Sequence, residues 1–387
     1  MSAVEPAADH GTPPARASAP DAYPAAAGAE GPPAPAAPPR VTPLPWPGIH
    51  GALSPAPRAP GAPGRARPAP ELPPHLTLLY RGPLASCDYD CPYCPFAKRR
   101  DDPGTLRADR AALERFADWV ADRPAENPGT RVSVLFTPWG EGLVRSWYRT
   151  AIVRLSRLPH VERVAIQTNL SGRLGWLADC DLSSTALWTT YHPGQVSHER
   201  FLAKARELTA AGVRFSVGVV GEPDHLEAAR RMRAELPGDV YLWVNAAEGR
   251  TYTDGEAAEW QALDPHFHYS RHPHPSLGRP CRTGDSVLSV DADGGVRRCH
   301  FVDTPMGNLY DGSFARDPGP SPCPLTSCDC HIGYVHLESL DLYDVFRGGV
   351  VERVPAVLPA ASPGAAPTPP CTPVPGGTTS NRRRGQT

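Results

Sequence analysis

Three cysteines early in the chain have the residue type and spacing of ligands for a metal cluster. Cys87 and Cys91 are separated by three residues, and Cys91 and Cys94 by two. They follow an apolar run at 75–81 that predicts a strand, and parallel α/β sheets and barrels place their ligands in such loops. Three thiolates on a four-iron cubane leave one iron open to a further ligand. Structural zinc and free thiols are the alternatives, but zinc needs a fourth protein ligand and none lies nearby in the sequence.

A second group of five cysteines lies in the last third of the chain: Cys281, Cys299, Cys323, Cys328 and Cys330. Residues 287–299 alternate apolar and polar side chains around Asp293-Gly294-Gly295. This pattern predicts a β-hairpin that brings Cys281 and Cys299 close together. Four thiolates also suit a structural zinc ion, which takes four sulfur ligands tetrahedrally.

Strands and helices alternate between the two groups of cysteines. The predicted strands are 75–81, 131–137, 161–169, 185–192, 213–220 and 239–245, and the predicted helices are 106–122, 146–158, 198–212 and 225–236. Six strands alternating with helices imply a parallel sheet with right-handed crossovers, either open or closed into a barrel. After residue 245 the alternation stops, and residues 337–354 predict a closing helix.

Composition divides the chain into four parts. Its 387 residues include 49 prolines, which crowd at both ends. Segments 1–73 and 355–387 hold too little apolar bulk to offset the entropy of ordering, so we expect both to be disordered. The parts between them are a core at 74–250 and the cysteine region at 251–354.

Charge and hydropathy exclude several classes of partner. Lys and Arg number 39 and Asp and Glu 41, so no basic surplus indicates a nucleic-acid partner. No apolar run approaches the roughly 18 residues that a membrane span needs, and no secretory signal is visible. We therefore expect a cytoplasmic protein, in which grouped cysteines are more often metal ligands than disulfide partners.

The first cysteine loop, with Tyr93 directly before its last cysteine, resembles that of the radical S-adenosylmethionine (SAM) superfamily. The resemblance implies a partial (β/α)6 barrel similar to a TIM barrel, a [4Fe–4S] cluster on Cys87, Cys91 and Cys94, and SAM chelated at the open iron. It also implies reductive cleavage of SAM to a 5′-deoxyadenosyl radical, and it places Tyr93 near the adenine.

Further motifs of this superfamily have counterparts after the second and third predicted strands. The family's Gly-Gly-Glu, which binds the amino group of SAM, corresponds to Trp139-Gly140-Glu141, with Trp in place of the first Gly. Its Thr-Asn-Gly corresponds to Thr168 and Asn169, with Leu170 in place of Gly. The resemblance also places the end of the fourth strand, around Thr190, near the ribose and carboxylate of SAM.

The spacing from Cys281 through Gly294 to Cys299 resembles the start of the SPASM and twitch extensions of radical SAM enzymes. Five cysteines, where the full SPASM pattern has seven, imply one auxiliary [4Fe–4S] cluster. Such relatives include peptide and protein maturases, so the expected activity is oxidative modification of a peptide or protein, with flavodoxin or ferredoxin as electron donor. A small-molecule dehydrogenase or cofactor-biosynthesis enzyme is the enzymatic alternative. A non-catalytic iron–sulfur or zinc scaffold is the alternative of another class.

Overall fold

The computed structural model describes residues 72–358, apart from 95, 97–99, 127, 315, 317 and 318. The segments expected to be disordered, 1–73 and 355–387, lie almost entirely outside these residues and stay predictions. In the described part of the chain, no helix combines the length and the apolar character needed to cross a lipid bilayer.

Six parallel strands form the centre of the fold, each paired with the next along the chain. They are β1 (His75–Arg81), β2 (Arg131–Phe136), β3 (Val161–Thr168), β4 (Thr185–Thr190), β5 (Arg214–Val220) and β6 (Tyr241–Asn245). The helices between and after them are α1 (Pro103–Glu126), α2 (Ser146–Ser156), α3 (His198–Ala210), α4 (Leu226–Glu235) and α5 (Asp254–Leu263). Short 3₁₀ helices lie at Gly175–Asp179, Pro223–His225 and Phe267–Tyr269. This order of strands is consistent with a partial TIM barrel and confirms the predicted parallel sheet.

Both faces of the sheet are covered, which explains why its strands are apolar almost throughout. On the outer face the helices pack into the main core, where Leu113, Phe116 and Val120 of α1 are fully buried. Helix α3 begins after Ser197, whose side chain accepts a hydrogen bond from the Arg200 amide. Gly212 follows the end of α3 with φ +72°, the left-handed conformation that glycine adopts without steric cost.

The predicted hairpin is present and extends the sheet beyond β1. Strand β9 (Val287–Asp291) pairs in parallel with β1, and β10 (Gly295–Arg297) runs antiparallel to β9. Strand β11 (Pro305–Asn308) completes a sheet of nine strands in the order β11-β10-β9-β1-β2-β3-β4-β5-β6. Two pairs of two-residue strands complete the cysteine region: β7 (His274–Pro275) with β13 (Ser327–Cys328), and β8 (Pro280–Cys281) with β12 (Ser321–Pro322).

The predicted closing helix at 337–354 is wrong. Only a single turn, α6 (Leu342–Phe346), is α-helical, with 3₁₀ turns at Tyr334–His336, Glu338–Leu340 and Arg347–Gly349. Asp341, Arg347 and Arg353 have φ angles of +51°, +44° and +56°, which interrupt a right-handed helix. The chain from 332 to 354, called the C-terminal segment below, instead follows the inner face of the sheet and packs its apolar side chains there.

Candidate functional site

The first cysteine loop leaves the carboxyl end of β1 and is held by an acid from outside the loop. Cys91 is buried, whereas Cys87 and Cys94 are partly exposed. One carboxylate oxygen of Asp101 accepts hydrogen bonds from the Ala85 and Ser86 amides, both at 2.8 Å, and from the Ser86 hydroxyl at 2.9 Å. Hydrogen bonds to a charged acceptor are the stronger kind, so Asp101 fixes the start of the loop.

Gly140 brings the loop after β2 against the cysteine loop. A Cβ atom at Gly140 would clash with the carbonyl group of Ser86, so only glycine fits this approach. The next amide, that of Glu141, donates to the Ser86 carbonyl at 3.2 Å. The second glycine of the motif therefore has a packing role that requires no bound ligand.

Trp139 fills the place where the related motif has its first glycine. Its ring lies 4.7 Å from the ring of Phe96, and the Arg81 guanidinium sits 3.9 Å from its centroid. Arg81 ends β1 and donates from Nε to the Thr137 carbonyl at 2.9 Å. Burial lowers the pKa of Arg81 to about 10, a shift that the neighbouring Cys330 opposes. Arg81 therefore lies between Trp139 and the second group of cysteines.

Glu141 is buried and joins the loop after β2 to the end of β3. Its Oε1 accepts from the Leu143 amide at 2.7 Å and from the Thr168 hydroxyl at 2.8 Å, and its Oε2 accepts from the Asn169 amide at 2.6 Å. Burial raises its pKa to about 7. A carboxylate has about four acceptor positions, so one remains for the predicted contact with the SAM ammonium. That contact stays a prediction, and bracing β3 is a second role that the sequence did not indicate.

Asn169 reaches from the end of β3 to the first cysteine. Its Nδ2 donates to the Asp88 carboxylate at 3.0 Å and toward Cys87 Sγ at 3.5 Å. The next residue, Leu170, has φ +59°, a left-handed conformation that glycine would adopt at no cost. Lys204 of α3 stabilises this turn by donating to the carbonyl groups of residues 170, 171 and 172, each at 2.7 Å. No sequence pattern indicated the role of Lys204.

The loop after β4 contacts the cysteine loop from the other side. The Tyr93 hydroxyl lies 2.9 Å from His192 Nδ1, and the two rings are stacked. Gln195 holds the backbone of Asp90 through both its amide and its carbonyl group. Burial lowers the pKa of His192 to about 4, so the ring is neutral at physiological pH. Strand β4 ends at Thr190, which is partly exposed, so His192 lies in the loop and not in the predicted strand.

The five later cysteines line one cavity: Cys281, Cys299, Cys323, Cys328 and Cys330. The pairing of β8 with β12 places Cys281 opposite Ser321, close to Cys323. Cys281 and Cys299 both line this cavity, and their predicted close approach stays a prediction. Burial raises the pKa of Cys299 to about 11. His300 follows Cys299, with Nε2 3.3 Å from the Thr137 hydroxyl and Nδ1 3.3 Å from the Ser289 hydroxyl.

The donors in both groups of cysteines are thiols, the ligands that iron–sulfur clusters take. Three thiols share one short loop, and five surround one cavity. The Tyr89 amide donates to Cys87 Sγ at 3.4 Å, and such hydrogen bonds to sulfur are one means by which proteins set cluster potentials. Within residues 72–358 as described, no three or more His, Cys, Asp or Glu side chains are grouped closely enough to hold a metal ion. The assignment of individual ligands therefore stays a prediction.

Comparison with known proteins adds little to these observations. No family model and no curated protein matches the chain. Among solved structures, anSMEcpe with bound AdoMet matches at 13% identity over 61% of this chain and 75% of that one, with a TM-score of 0.42. Streptococcus suis SuiB bound to S-adenosylmethionine matches at 13% identity over 62% of this chain, with a TM-score of 0.31. The match spans 64% of SuiB, less than two thirds of its length.

A third structure, BtrN in complex with AdoMet and 2-DOIA, matches at 16% identity over 60% of this chain and 78% of that one, with a TM-score of 0.31. Matches at this level of identity and TM-score do not show the function of this chain.

Proposed function

We propose that this chain is a radical SAM enzyme that binds a [4Fe–4S] cluster through Cys87, Cys91 and Cys94. One observation carries the proposal. Three thiols lie in the loop after β1, the first of six consecutive parallel strands, and the side chains of Trp139, Asn169 and His192, which follow β2, β3 and β4, contact that loop. Ligands of such sheets bind at the carboxyl ends of the strands.

The motif residues have distinct roles in this proposal. The free acceptor position of Glu141 would take the SAM ammonium, and Tyr93, held by His192, would lie along the adenine. Thr168 and Asn169 hold Glu141 in place. Thr190, at the partly exposed end of β4, would contact the ribose or carboxylate of SAM.

The proposed reaction is the oxidative modification of a peptide or protein. When bound, the first cluster and SAM supply a 5′-deoxyadenosyl radical that removes a hydrogen atom, and an auxiliary cluster on four of the five later cysteines supplies an acceptor for the remaining electron. The shared cavity of those cysteines supports the auxiliary site. The peptide or protein substrate, and flavodoxin or ferredoxin as electron donor, rest on the resemblance of the cysteine spacing alone.

Anaerobic reconstitution with iron and sulfide, followed by reduction in the presence of SAM, tests the proposal. We expect the wild type to release 5′-deoxyadenosine, and a variant with Cys87, Cys91 and Cys94 all changed to Ala to release none, because the open-iron cluster needs all three thiolates. Cys180→Ala is the matched control, since Cys180 belongs to neither group of cysteines. Wild-type release by the triple variant would refute the proposal. An iron-loaded wild type that releases none would favour a non-catalytic scaffold.

A further inference from the structure

The inner face of the sheet is filled by the C-terminal segment and not by large strand residues alone. The inward positions of β3, β4 and β5 include Ala165, Ala186 and Gly218, and a Cβ atom at Gly218 would clash with the ring of Trp243. The Ser216 hydroxyl on β5 donates to the backbone carbonyl of Glu352 at 2.6 Å. Because closed barrels fill their interior with their own strand side chains, these small residues make room for another part of the chain.

A cavity remains where the C-terminal segment meets β4 and β6. Its walls include Trp188, Tyr241, Trp243, Asp264, Tyr334 and Arg353. Its volume is about 30 Å³. By the same measure, one water molecule needs about 10–15 Å³. The cavity therefore has room for a small group, such as a carboxylate, between aromatic walls.

Arg353 supplies a buried positive charge to this cavity. It is 6% exposed, and no carboxylate of the described residues lies within 4.0 Å of its guanidinium. Its nitrogens donate to the carbonyl groups of His331, Ile332 and Val350, and the group lies 4.5 Å above the ring of Trp188. A buried cation is costly unless an anion accompanies it.

Two acids lie near Arg353, and neither forms an ion pair with it. Glu352 does not line the cavity: its Oε1 forms ion pairs with Arg214 and, at 3.7 Å, with Arg163, and its Oε2 has no hydrogen-bond partner among the described residues. Asp264 lines the cavity, but three hydrogen bonds occupy its carboxylate. Their donors are the Tyr241 hydroxyl and the amides of Val244 and His266. Among the described residues, no carboxylate therefore forms an ion pair with Arg353 inside the cavity.

A second donor in the wall also lacks a partner. The Trp188 indole Nε1 is buried with no hydrogen-bond partner in the described part of the structure. Trp243, which packs against it, donates from its own indole to Ser216 Oγ at 3.0 Å. An unpaired indole N–H beside a guanidinium that forms no ion pair favours an oxygen ligand that carries negative charge.

We propose that this cavity binds a carboxylate group, with Arg353 as its counter-ion and the Trp188 indole as a second donor. A carboxylate supplies the negative charge that would pair with Arg353 and suits the size of the cavity. The inference rests on the proposed function only in taking the molecule that bears the carboxylate to be the substrate. Binding itself requires neither SAM nor a reduced cluster.

Ligand-observed NMR on the full-length protein, purified anaerobically, tests this site. Acetate is the probe, and acetamide, which has the same shape without the charge, is the matched control ligand. We expect saturation transfer to the acetate methyl group and little to acetamide at equal concentration and ionic strength. N-acetylglycine and its amide form a second pair. Tighter binding of N-acetylglycine than of acetate would indicate the carboxyl end of a peptide, and equal binding a free acid.

Variants separate binding in the cavity from binding elsewhere. Arg353→Met should weaken acetate binding about tenfold or more, the effect expected for losing a hydrogen bond to a charged group. Trp188→Phe keeps an aromatic ring, removes the N–H and should weaken binding by a smaller factor, so it serves as the test if Arg353→Met fails to fold. Arg347→Met is the control, because Arg347 is exposed in the same segment.

Two results with the variants would overturn the inference. In the first, Trp188→Phe and Arg353→Met both bind acetate as tightly as the wild type. In the second, Arg353→Met fails to fold and Trp188→Phe binds acetate as tightly as the wild type. The absence of any acetate binding would do the same and would leave Arg353 as a structural tie for the C-terminal segment. Acetate binding by a protein that fails to release 5′-deoxyadenosine would refute the proposed function and leave the site intact.

Discussion

The two groups of cysteines are assembled in different ways. The first lies within eight residues of one loop, so the chain brings its thiols together locally, and contacts from β2, β3 and β4 only fix the loop. The second spans residues 281–330, and its members line one cavity through the pairing of β9 with β1, of β8 with β12 and of β7 with β13. The arrangement of the first three thiols therefore depends on the contacts of one loop, whereas the arrangement of the later five depends on the strand pairs around them.

Removing thiols from the second group while keeping the first is the strongest test of whether the two groups are independent. Two cubanes would hold about eight irons per chain. Cys281→Ala with Cys299→Ala should leave about four irons and normal release of 5′-deoxyadenosine, with little product, because the electron acceptor is lost. Iron analysis and the ratio of 5′-deoxyadenosine to product are the measurements. A normal ratio in a variant without the second cluster would make that region a structural lid, and zinc at the site would refute an auxiliary cluster.

Loosening the first loop without removing a thiol is a milder test. Asp101→Asn keeps the size of the side chain and removes the charge that accepts three hydrogen bonds from residues 85 and 86. We expect the free energy of unfolding to fall by about 1–3 kcal/mol and iron to be lost mainly from the first site. Chemical denaturation and iron analysis measure both effects.

The matched control for this loop variant is Asp179→Asn, at an exposed position outside both cysteine groups. It should change neither quantity. Iron loss shared equally between the two sites in Asp101→Asn would show that the first loop does not behave as a separate unit.

The hairpin offers the corresponding test of the second group. Gly294 has φ +81°, and a Cβ atom there would clash with the ring of Tyr310. Gly312 has φ +69° with nothing within 4 Å of the same position. In both Ala variants the free energy of unfolding should fall by about 1 kcal/mol, because alanine is strained at a positive φ. Only Gly294→Ala adds the clash, so it should be the less stable of the two and should lose iron at the second site alone.

Thermal unfolding and iron analysis of the two glycine variants compare them directly. Equal stability, with equal iron at the second site, would mean that the turn of the hairpin does not position Cys299.

The sequence was sufficient for features that depend on neighbouring residues. It predicted six parallel strands, the loop of Cys87, Cys91 and Cys94, and the hairpin at 287–299, because apolar runs and turn residues carry those signals. It failed at 337–354, where helical spacing was present but positive φ angles and packing against the inner face prevailed. The sequence also did not predict the contacts of Lys204, Gln195 and Arg81, because they join residues far apart in sequence and no local pattern marks them.

The parallel pairing of β9 with β1 has a consequence for how the chain acquires its structure during synthesis. Strand β1 is made early, and its second neighbour follows about 210 residues later. At about 5–20 residues per second, one edge of β1 waits roughly 10–40 s for its partner. Pairings this distant in sequence slow folding, and an open strand edge invites pairing with another chain. Until β9 emerges from the ribosome, the nascent protein therefore carries an open strand edge at β1 that is exposed to aggregation.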